Sequence, residues 1–308
     1  MALLFYGPGD DPVAWRAELT KRLPDLDVRT VDAMGDPADI DMAVVWKPPP
    51  GLLASLPNLK VIFSLGAGVD GFFADPTFPD LPFCRLVDPQ LTDVMAEFVL
   101  LHVLKYHRLM DRFAAAQRRA EWDFALAPLA SSVRVGIMGL GVLGSATAKI
   151  LLRHGYTVRG WSRTRHEVPG ATCFAGTERI AEFLGGTEIL VCLLPLTAET
   201  ENILDAALFE QLPAGARLIN VARGRHLVEE DLLAALDNGR LSHATLDVFR
   251  TEPLAGNHPF WRHPKIDITP HVASNLLPES GADGIAENIR RFRAGEPLLN
   301  LVDRTRGY

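Results

Sequence analysis

The sequence has few cysteines and no hydrophobic run long enough to cross a membrane. Cys84, Cys173 and Cys192 are odd in number and widely spaced, which excludes a disulfide framework and a CxxC zinc site. The longest stretch without a charged residue, 135–148, is shorter than the roughly 20 apolar residues of a spanning helix. The opening letters, MALLFYGPGDDP, lack a basic segment before the apolar run, so we expect no signal peptide and a cytoplasmic protein.

An excess of positive charge is also missing. The net charge is −7 over 308 residues, which argues against a general nucleic-acid binder. With 48% hydrophobic and 22% charged residues, the composition is that of a folded globular protein rather than a disordered one. Because one core seldom grows beyond roughly 250–300 residues, this length favours about two domains.

Motifs of several other enzyme classes are absent from the sequence. It contains no G-x-S-x-G elbow, no H-E-x-x-H and no Walker lysine. His258 and His263 do not have the spacing of a metal-ligand pair, so we expect no metal site.

Two blocks of the chain alternate short apolar strands with helical patterns. Strands are expected at 2–6, 27–31, 41–46, 60–65, 133–138, 156–161, 188–194, 217–222, 243–249 and 265–269. Helices are expected at 13–23, 142–154, 229–238 and 278–294, with one long helix or two joined ones over 89–119. Such alternation indicates βαβ units. We therefore predict an α/β protein with two doubly wound parallel-sheet domains, Rossmann- or flavodoxin-like, and a cleft between them.

A glycine-rich segment follows the first strand of the second block and opens a helix. Its residues are Gly139, Leu140, Gly141, Val142, Leu143 and Gly144. In this context G-x-G-x-x-G is typical of a dinucleotide site, whose glycines allow a tight turn and a close approach to pyrophosphate. The helix N-terminus favours the phosphate charge. An ordinary glycine-rich turn is the alternative.

The next strand ends without the acidic residue that usually binds the ribose of NAD. Its end carries Ser162, Arg163, Thr164 and Arg165 instead. A carboxylate there would repel a 2′-phosphate, whereas guanidinium and hydroxyl groups would bind one. We therefore expect NADPH/NADP to be preferred over NADH/NAD, with a solvated basic turn as the alternative.

Polar residues follow the ends of three later strands. Arg223 follows 217–222, Glu252 lies three residues beyond Phe249, and His271 follows 265–269. At one edge of a parallel sheet, this set suits hydride transfer to a 2-oxo acid. Arg223 would orient the substrate, His271 would donate a proton to the carbonyl oxygen, and Glu252 would favour the protonated imidazole. Each of these residues alone is commonly structural.

A loop of small residues ends a strand of the first block. Leu65, Gly66, Ala67 and Gly68 could direct backbone N–H groups at a substrate carboxylate. A simple turn is equally compatible with this sequence.

The sequence resembles the D-2-hydroxyacid dehydrogenase family, in its glyoxylate/hydroxypyruvate reductase A branch, over nearly its whole length. The motifs are SLGAGVD at 64–70, MAEFVLLHVLKYHR at 95–108, GLGVLGSA at 139–146, WSRTR at 161–165, LPLTAET at 194–200, NVARG at 220–224, DVFRTEPL at 247–254, TPHVAS at 269–274 and VDRTRGY at 302–308.

The resemblance implies a fold, an activity and further site residues. Residues 1–98 and 275–308 would form the substrate domain and 99–274 the dinucleotide-binding domain. The activity would be NADPH-dependent reduction of glyoxylate and hydroxypyruvate to glycolate and D-glycerate by Arg223, Glu252 and His271. Further coenzyme contacts would come from Leu194, Pro195, Val221, Ala222, Asp247 and Ser274. Trp46 and Lys47 would face the substrate, and the region 100–122 would form a homodimer.

Two other functions stay open at this point. One is an NAD-linked dehydrogenase for another D-2-hydroxy acid, which the missing acid near Arg163 disfavours. The other is a non-enzymatic dinucleotide-sensing protein on the same fold. Such a protein would tolerate loss of Arg223, Glu252 and His271, yet all three are present.

Overall fold

A computed structural model describes residues 2–304 of the chain. The last letters of the motif at 302–308 therefore lie outside the described residues. The strands are β1 (Ala2–Tyr6), β2 (Asp27–Thr30), β3 (Ile40–Val45), β4 (Val61–Ser64), β5 (Phe83–Cys84), β6 (Arg134–Met138), β7 (Thr157–Ser162), β8 (Thr172–Ala175), β9 (Ile189–Cys192), β10 (Ala216–Asn220), β11 (Leu241–Leu246) and β12 (Ile266–Ile268). The α-helices are α1 (Pro12–Arg22), α2 (Pro89–His107), α3 (Met110–Arg118), α4 (Val142–Arg153), α5 (Ile180–Gly185), α6 (Ala206–Gln211), α7 (Glu229–Asp237) and α8 (Pro278–Ala294).

The chain divides into two compact units. One comprises the described parts of Met1–Leu91 and Asn275–Tyr308, and the other comprises Thr92–Ser274. The first boundary falls inside α2, the same helix that contains the boundary expected at 98/99. Each unit has its own sheet and its own buried apolar residues.

The first unit is built on a five-stranded parallel sheet. Its strand order is β2-β1-β3-β4-β5, which is the flavodoxin-like order, with the order reversing between β1 and β3. All six residues of β3 are buried, as expected for a central strand covered on both faces. Helices α1 and α8 pack together, and Trp15 of α1 is fully buried beside Ala282 and Ile285 of α8.

The second unit is built on a seven-stranded parallel sheet. Its order is β12-β11-β10-β9-β6-β7-β8, which is the Rossmann order with one strand added beside β11. The order reverses between β6 and β9, where ligands bind in open α/β sheets. Both strands are almost entirely buried, because helices cover both faces of a sheet of this kind.

The predicted fold class is confirmed, with differences in the short elements. The pattern over 89–119 forms two helices, since the left-handed Leu109 (φ 60°) separates α2 from α3. The sequence pattern does not predict β5 and β8, which have two and four residues, or the six-residue helices α5 and α6. Elements this short carry too little periodicity to stand out from loops. Within the described residues, no helix has the length and apolarity that crossing a bilayer requires.

Candidate active site

The candidate residues of the second unit follow strands whose carboxyl ends share one edge of the sheet. Because all seven strands are parallel, the order of the sheet is also the order of the loops along this edge. From one side to the other, the edge carries His271 after β12, Asp247 and Glu252 after β11, Arg223 after β10, Leu194 and Pro195 after β9, the glycine loop after β6, and Arg163 after β7.

The glycine loop is shaped by close backbone contacts. Gly139 has φ 101°, and a Cβ atom there would lie 2.6 Å from the carbonyl oxygen of Leu193. A Cβ at Gly144 would lie 1.8 Å from the carbonyl oxygen of Gly139, so both positions require glycine. At Gly141, by contrast, no described atom lies within 4 Å of a Cβ position. The loop is thus open at Gly141, at the N-terminus of α4.

This geometry fits a bound pyrophosphate. Gly141 is the N-cap of α4 and has no side chain to satisfy the N–H groups of the first turn. Those N–H groups and the positive end of the helix dipole favour an anion. Gly139, Gly141 and Gly144 therefore meet the steric requirements of a dinucleotide-binding loop.

The end of β7 is polar and basic. The Ser162 hydroxyl donates a hydrogen bond to the Thr164 carbonyl at 2.8 Å, which tightens the turn. Arg165 is exposed and forms an ion pair with Glu167 at 2.5 Å. Glu199, beyond β9, has its pKa lowered mainly by the Thr197 hydroxyl, with a smaller contribution from the charge of Arg163. A 2′-phosphate would thus compete with carboxylates for both guanidinium groups.

His271 and Glu252 form a hydrogen-bonded pair. The imidazole Nδ1 lies 2.8 Å from Glu252 Oε2, and the other oxygen, Oε1, accepts the N–H of Phe249 at 3.1 Å. The carboxylate therefore has a fixed orientation and accepts the hydrogen bond from Nδ1–H. This leaves Nε2 of His271 as the nitrogen that can hold a transferable proton.

Buried Asp247 organises the turn that carries His271. Its side chain accepts the Thr269 hydroxyl at 2.7 Å and the N–H groups of Val272 and Ala273 at 2.8 and 2.9 Å. The backbone of His271 is left-handed, with φ 56°, and its N–H donates to the Asp247 carbonyl at 2.8 Å. The resemblance places Asp247 at the coenzyme, whereas these contacts also give it a structural role.

The turn that carries Arg223 is fixed by fully buried Asn220. The Asn220 side chain donates to the Arg223 carbonyl at 3.1 Å and accepts the Ala222 N–H at 3.2 Å. A Cβ at Gly224 would lie 1.8 Å from the carbonyl carbon of Phe249, so the backbones after β10 and β11 are in direct contact. The turns of Arg223 and Glu252 are thereby packed together.

Sequence reasoning missed two buried polar residues beside Arg223. Asn220 is one, and His226, which contacts both Arg223 and Pro195, is the other. Asn220 is the last residue of a strand that is otherwise largely apolar, and His226 stands three residues after Arg223. The sequence offered one indication of these contacts, which is that polar Asn220 ends an apolar strand.

The loop 65–68 belongs to the first unit. The N–H of Leu65 donates to Val45 O at 3.1 Å, and the N–H of Gly66 donates to Ser64 Oγ at 3.0 Å. These two N–H groups are thus already used inside the fold. The Trp46 ring lies against Gly66, where a Cβ would come within 2.3 Å of it. Lys47 follows in a left-handed conformation, with φ 43°.

The sheet order, the glycine loop and the polar edge define a dinucleotide-binding α/β protein. Comparison with known proteins agrees. Residues 100–273 match the NAD-binding domain of D-isomer-specific 2-hydroxyacid dehydrogenases. A glyoxylate/hydroxypyruvate reductase A of Serratia proteamaculans is 44% identical, with all of both chains covered.

Two solved structures are similar over nearly their full length. A D-isomer-specific 2-hydroxyacid dehydrogenase from Xanthobacter autotrophicus, in complex with NADPH and MES, is 47% identical, with TM-score 0.96 and 100% and 99% coverage of this chain and that one. An NADPH-dependent glyoxylate/hydroxypyruvate reductase from Sinorhizobium meliloti, in complex with NADP and sulfate, is 38% identical, with TM-score 0.93 and the same coverage. The chain belongs to the D-isomer-specific 2-hydroxyacid dehydrogenase family, as the sequence motifs predict.

Proposed function

We propose that the protein is an NADPH-dependent reductase of small 2-oxo acids, glyoxylate and hydroxypyruvate, which it converts to glycolate and D-glycerate. The observation that carries this proposal is the His271–Glu252 pair, 2.8 Å apart, at the sheet edge that also bears the glycine loop. Full-length relatives named glyoxylate/hydroxypyruvate reductase A support the choice of substrates.

His271 acts as the general acid of the reduction. The bound coenzyme supplies a hydride to the carbonyl carbon. The carbonyl oxygen then needs a proton, which Nε2 of His271 donates, while Nδ1 stays hydrogen-bonded to Glu252. The Glu252 carboxylate holds the orientation of the ring through Nδ1, so Nε2 stays available for this transfer.

Arg223 orients the substrate. The backbone of its turn is held in place by the hydrogen bond from Asn220 and by the contact of Gly224 with Phe249. The side chain of Arg223 is therefore attached at a fixed position. A guanidinium group can form two parallel hydrogen bonds with a carboxylate.

The coenzyme is NADPH rather than NADH. Arg163 and Arg165 stand where an NAD-binding protein usually has an acid, and both are exposed. The glycine loop and the N-terminus of α4 hold the pyrophosphate, as their geometry favours. The structures of relatives in complex with NADPH or NADP support this choice.

A steady-state assay tests the proposal directly. Purified protein is given glyoxylate or hydroxypyruvate with NADPH or NADH, and coenzyme oxidation is followed at 340 nm. We expect the highest kcat/KM with NADPH and a 2-oxo acid. A higher kcat/KM with NADH would indicate an NAD-linked dehydrogenase. Binding of NADPH with no turnover of any 2-oxo acid would indicate a coenzyme-sensing protein.

We also propose that the protein forms a homodimer through the region 100–122 and the exposed apolar residues that follow it as far as Leu129. Large apolar side chains are exposed here, and Trp122 is 98% exposed in the single chain. The others are Leu101, Met110, Phe124, Leu126 and Leu129. Such a concentration of exposed apolar surface is typical of an interface. Light scattering should give twice the mass of the chain, and Trp122→Asp should shift it toward the monomer.

A cytoplasmic location completes the proposal. The three cysteines are free thiols, and two of them, Cys84 and Cys192, are buried. Free thiols are typical of reducing compartments. Cell fractionation should find the protein with cytoplasmic markers.

A further inference from the structure

His226 is a fully buried histidine that contacts the turns after two neighbouring strands. Its Nδ1 lies 3.2 Å from the backbone nitrogen of Arg223 and 3.1 Å from the Arg223 carbonyl oxygen. On the other side of the ring, Nε2 lies 3.3 Å from the carbonyl oxygen of Pro195. The ring thus bridges the turn after β10 and the turn after β9.

The contact with Pro195 favours the neutral tautomer that carries its proton on Nε2. Pro195 O can only accept, so Nε2 must carry a proton to bond with it. A neutral imidazole then has an unprotonated Nδ1, which accepts the Arg223 N–H. The opposite neutral tautomer would place two acceptors, Nε2 and Pro195 O, against each other. Thr200 Oγ1 also donates to Pro195 O at 2.7 Å, so this carbonyl accepts two hydrogen bonds.

These contacts join the two halves of the proposed reaction site. Arg223 is the proposed substrate clamp, and Pro195 follows Leu194 in the turn assigned to the coenzyme. A fully buried imidazole is costly unless both nitrogens are satisfied, and here both nitrogens have partners on these two turns.

We propose that His226 is a positioning residue. It fixes the position of the Arg223 turn through Nδ1 and that of the turn at Leu194 and Pro195, which is assigned to the coenzyme, through Nε2. The inference rests on the proposed function for the roles of Arg223 and Pro195. His226 itself transfers no proton, since both of its ring nitrogens bond to backbone groups.

Two variants separate the two ends of the ring. Asn places its amide near the position of Nδ1 and Gln places its amide near that of Nε2. His226→Asn keeps an acceptor for the Arg223 N–H and loses the bond to Pro195, so NADPH should bind about tenfold more weakly with the glyoxylate KM near that of the parent. His226→Gln keeps the donor to Pro195, so kcat/KM for glyoxylate should fall about tenfold while the Kd of NADPH stays within twofold.

Matched controls use a second histidine whose Nδ1 likewise accepts a backbone N–H. In His263, Nδ1 accepts the Lys265 N–H at 3.3 Å and Nε2 faces Asp237 at 3.3 Å. His263→Asn and His263→Gln should change thermal stability but leave both the Kd of NADPH and kcat/KM for glyoxylate at the parent's values. Thr200→Val removes the other donor to Pro195 O, so it should weaken NADPH binding without changing the glyoxylate KM.

The measurements are NADPH binding by fluorescence, glyoxylate kinetics and thermal unfolding for all variants. The proposal is supported if His226→Asn mainly weakens NADPH binding and His226→Gln mainly lowers kcat/KM for glyoxylate. It is overturned if each variant impairs both quantities equally, or if each lowers thermal stability and changes neither quantity. If the parent protein turns over no 2-oxo acid, the proposed function fails. NADPH binding then still decides the inference: weaker binding in Asn but not in Gln supports it, and any other pattern overturns it. If His226→Asn does not fold, His226→Gln decides the inference: a lower kcat/KM for glyoxylate with the parent's Kd for NADPH supports it, and any other result overturns it.

Discussion

The Asp247 carbonyl accepts the backbone N–H of His271 at 2.8 Å, and this bond is part of a set that holds His271 in a left-handed conformation. A non-glycine residue with φ 56° is strained by roughly 1 kcal/mol or more, so surrounding contacts must maintain it. The Asp247 side chain supplies them through Thr269, Val272 and Ala273.

Replacing Asp247 with Asn should therefore disturb the His271 turn. The two oxygens of the Asp247 carboxylate accept the N–H groups of Val272 and Ala273, one each. The Asn amide has a single oxygen, so one of these two hydrogen bonds would be lost. We expect kcat for glyoxylate reduction to fall at least tenfold and the free energy of unfolding to fall by about 1–3 kcal/mol. Asp205→Asn, which alters the cap of α6, is the control. Wild-type kcat in Asp247→Asn would show that the turn does not need the carboxylate.

The Glu252 carboxylate should be needed for fast reduction. Glu252→Gln keeps the size of the side chain and replaces the carboxylate that accepts the Nδ1–H of His271 by an amide. We expect kcat for glyoxylate reduction to fall at least tenfold, because the amide can turn its NH2 group toward the ring and no longer hold His271 in one orientation. His271→Ala should lower kcat further, since it removes the proposed acid itself. The measurement is kcat for the parent and both variants, and an unchanged kcat in Glu252→Gln would contradict the role given to this pair.

Much of the fold could be predicted because its strands are apolar and its turns carry glycine or proline. For example, the sequence shows an apolar strand, a glycine loop and a helical pattern in direct succession, and these correspond to β6, the loop and α4. The strand β8 was missed because its four residues alternate only weakly between exposed and buried. The break between α2 and α3 depends on the left-handed backbone of Leu109. Leucine is a common helix residue, so the sequence gives no indication of a break at this position.

The candidate site could be predicted only where residues follow strand ends. The hydrogen bond expected between Glu252 and His271 is present, although their catalytic roles remain predictions. The contacts of Asp247 and His226 were not predictable from spacing. They depend on which buried turns meet, as when Gly224 packs on the backbone of Phe249. Burial of a polar group is a property of the folded chain and not of the local sequence.

Coenzyme choice should follow the charge at the end of β7. Removing both guanidinium groups in Arg163→Ala/Arg165→Ala should lower kcat/KM for NADPH by roughly 10²-fold, since charged hydrogen bonds contribute about 1.5–3 kcal/mol each. The values with NADH should change little. Arg179→Ala, which removes an exposed arginine paired with Glu182, is the control. A preference for NADPH that survives the double substitution would place the 2′-phosphate elsewhere.

Substrate orientation should fail with Arg223→Ala. Loss of one partner of a desolvated charge pair costs about 2–5 kcal/mol, so kcat/KM for glyoxylate should fall at least thirtyfold. The neighbouring Arg225 forms an exposed pair with Glu201 at 2.8 Å, and Arg225→Ala should leave kcat/KM within twofold. Both variants should keep the parent's Kd for NADPH. If the two arginine variants behave alike, Arg223 is not the clamp.

Acid stability should depend on His102, which is buried in α2. Burial lowers its pKa from 6.5 to about 4, with a smaller effect from Lys105 that Asp267 partly opposes. Its Nδ1 lies 3.2 Å from Thr245 Oγ1, which in turn bonds to the hydroxyl of Tyr106 at 2.6 Å, as suits a neutral ring.

Since the unfolded chain protonates His102 near pH 6.5 and the folded chain near pH 4, the unfolded state binds more protons between these values. The free energy of unfolding should therefore decrease as the pH falls from 6.5 to about 4, by up to roughly 3 kcal/mol from this residue. His102→Gln should remove that part of the decrease in urea unfolding measured across the range. Exposed His154→Gln should not. Parallel curves for the parent and His102→Gln would mean that His102 titrates alike in both states.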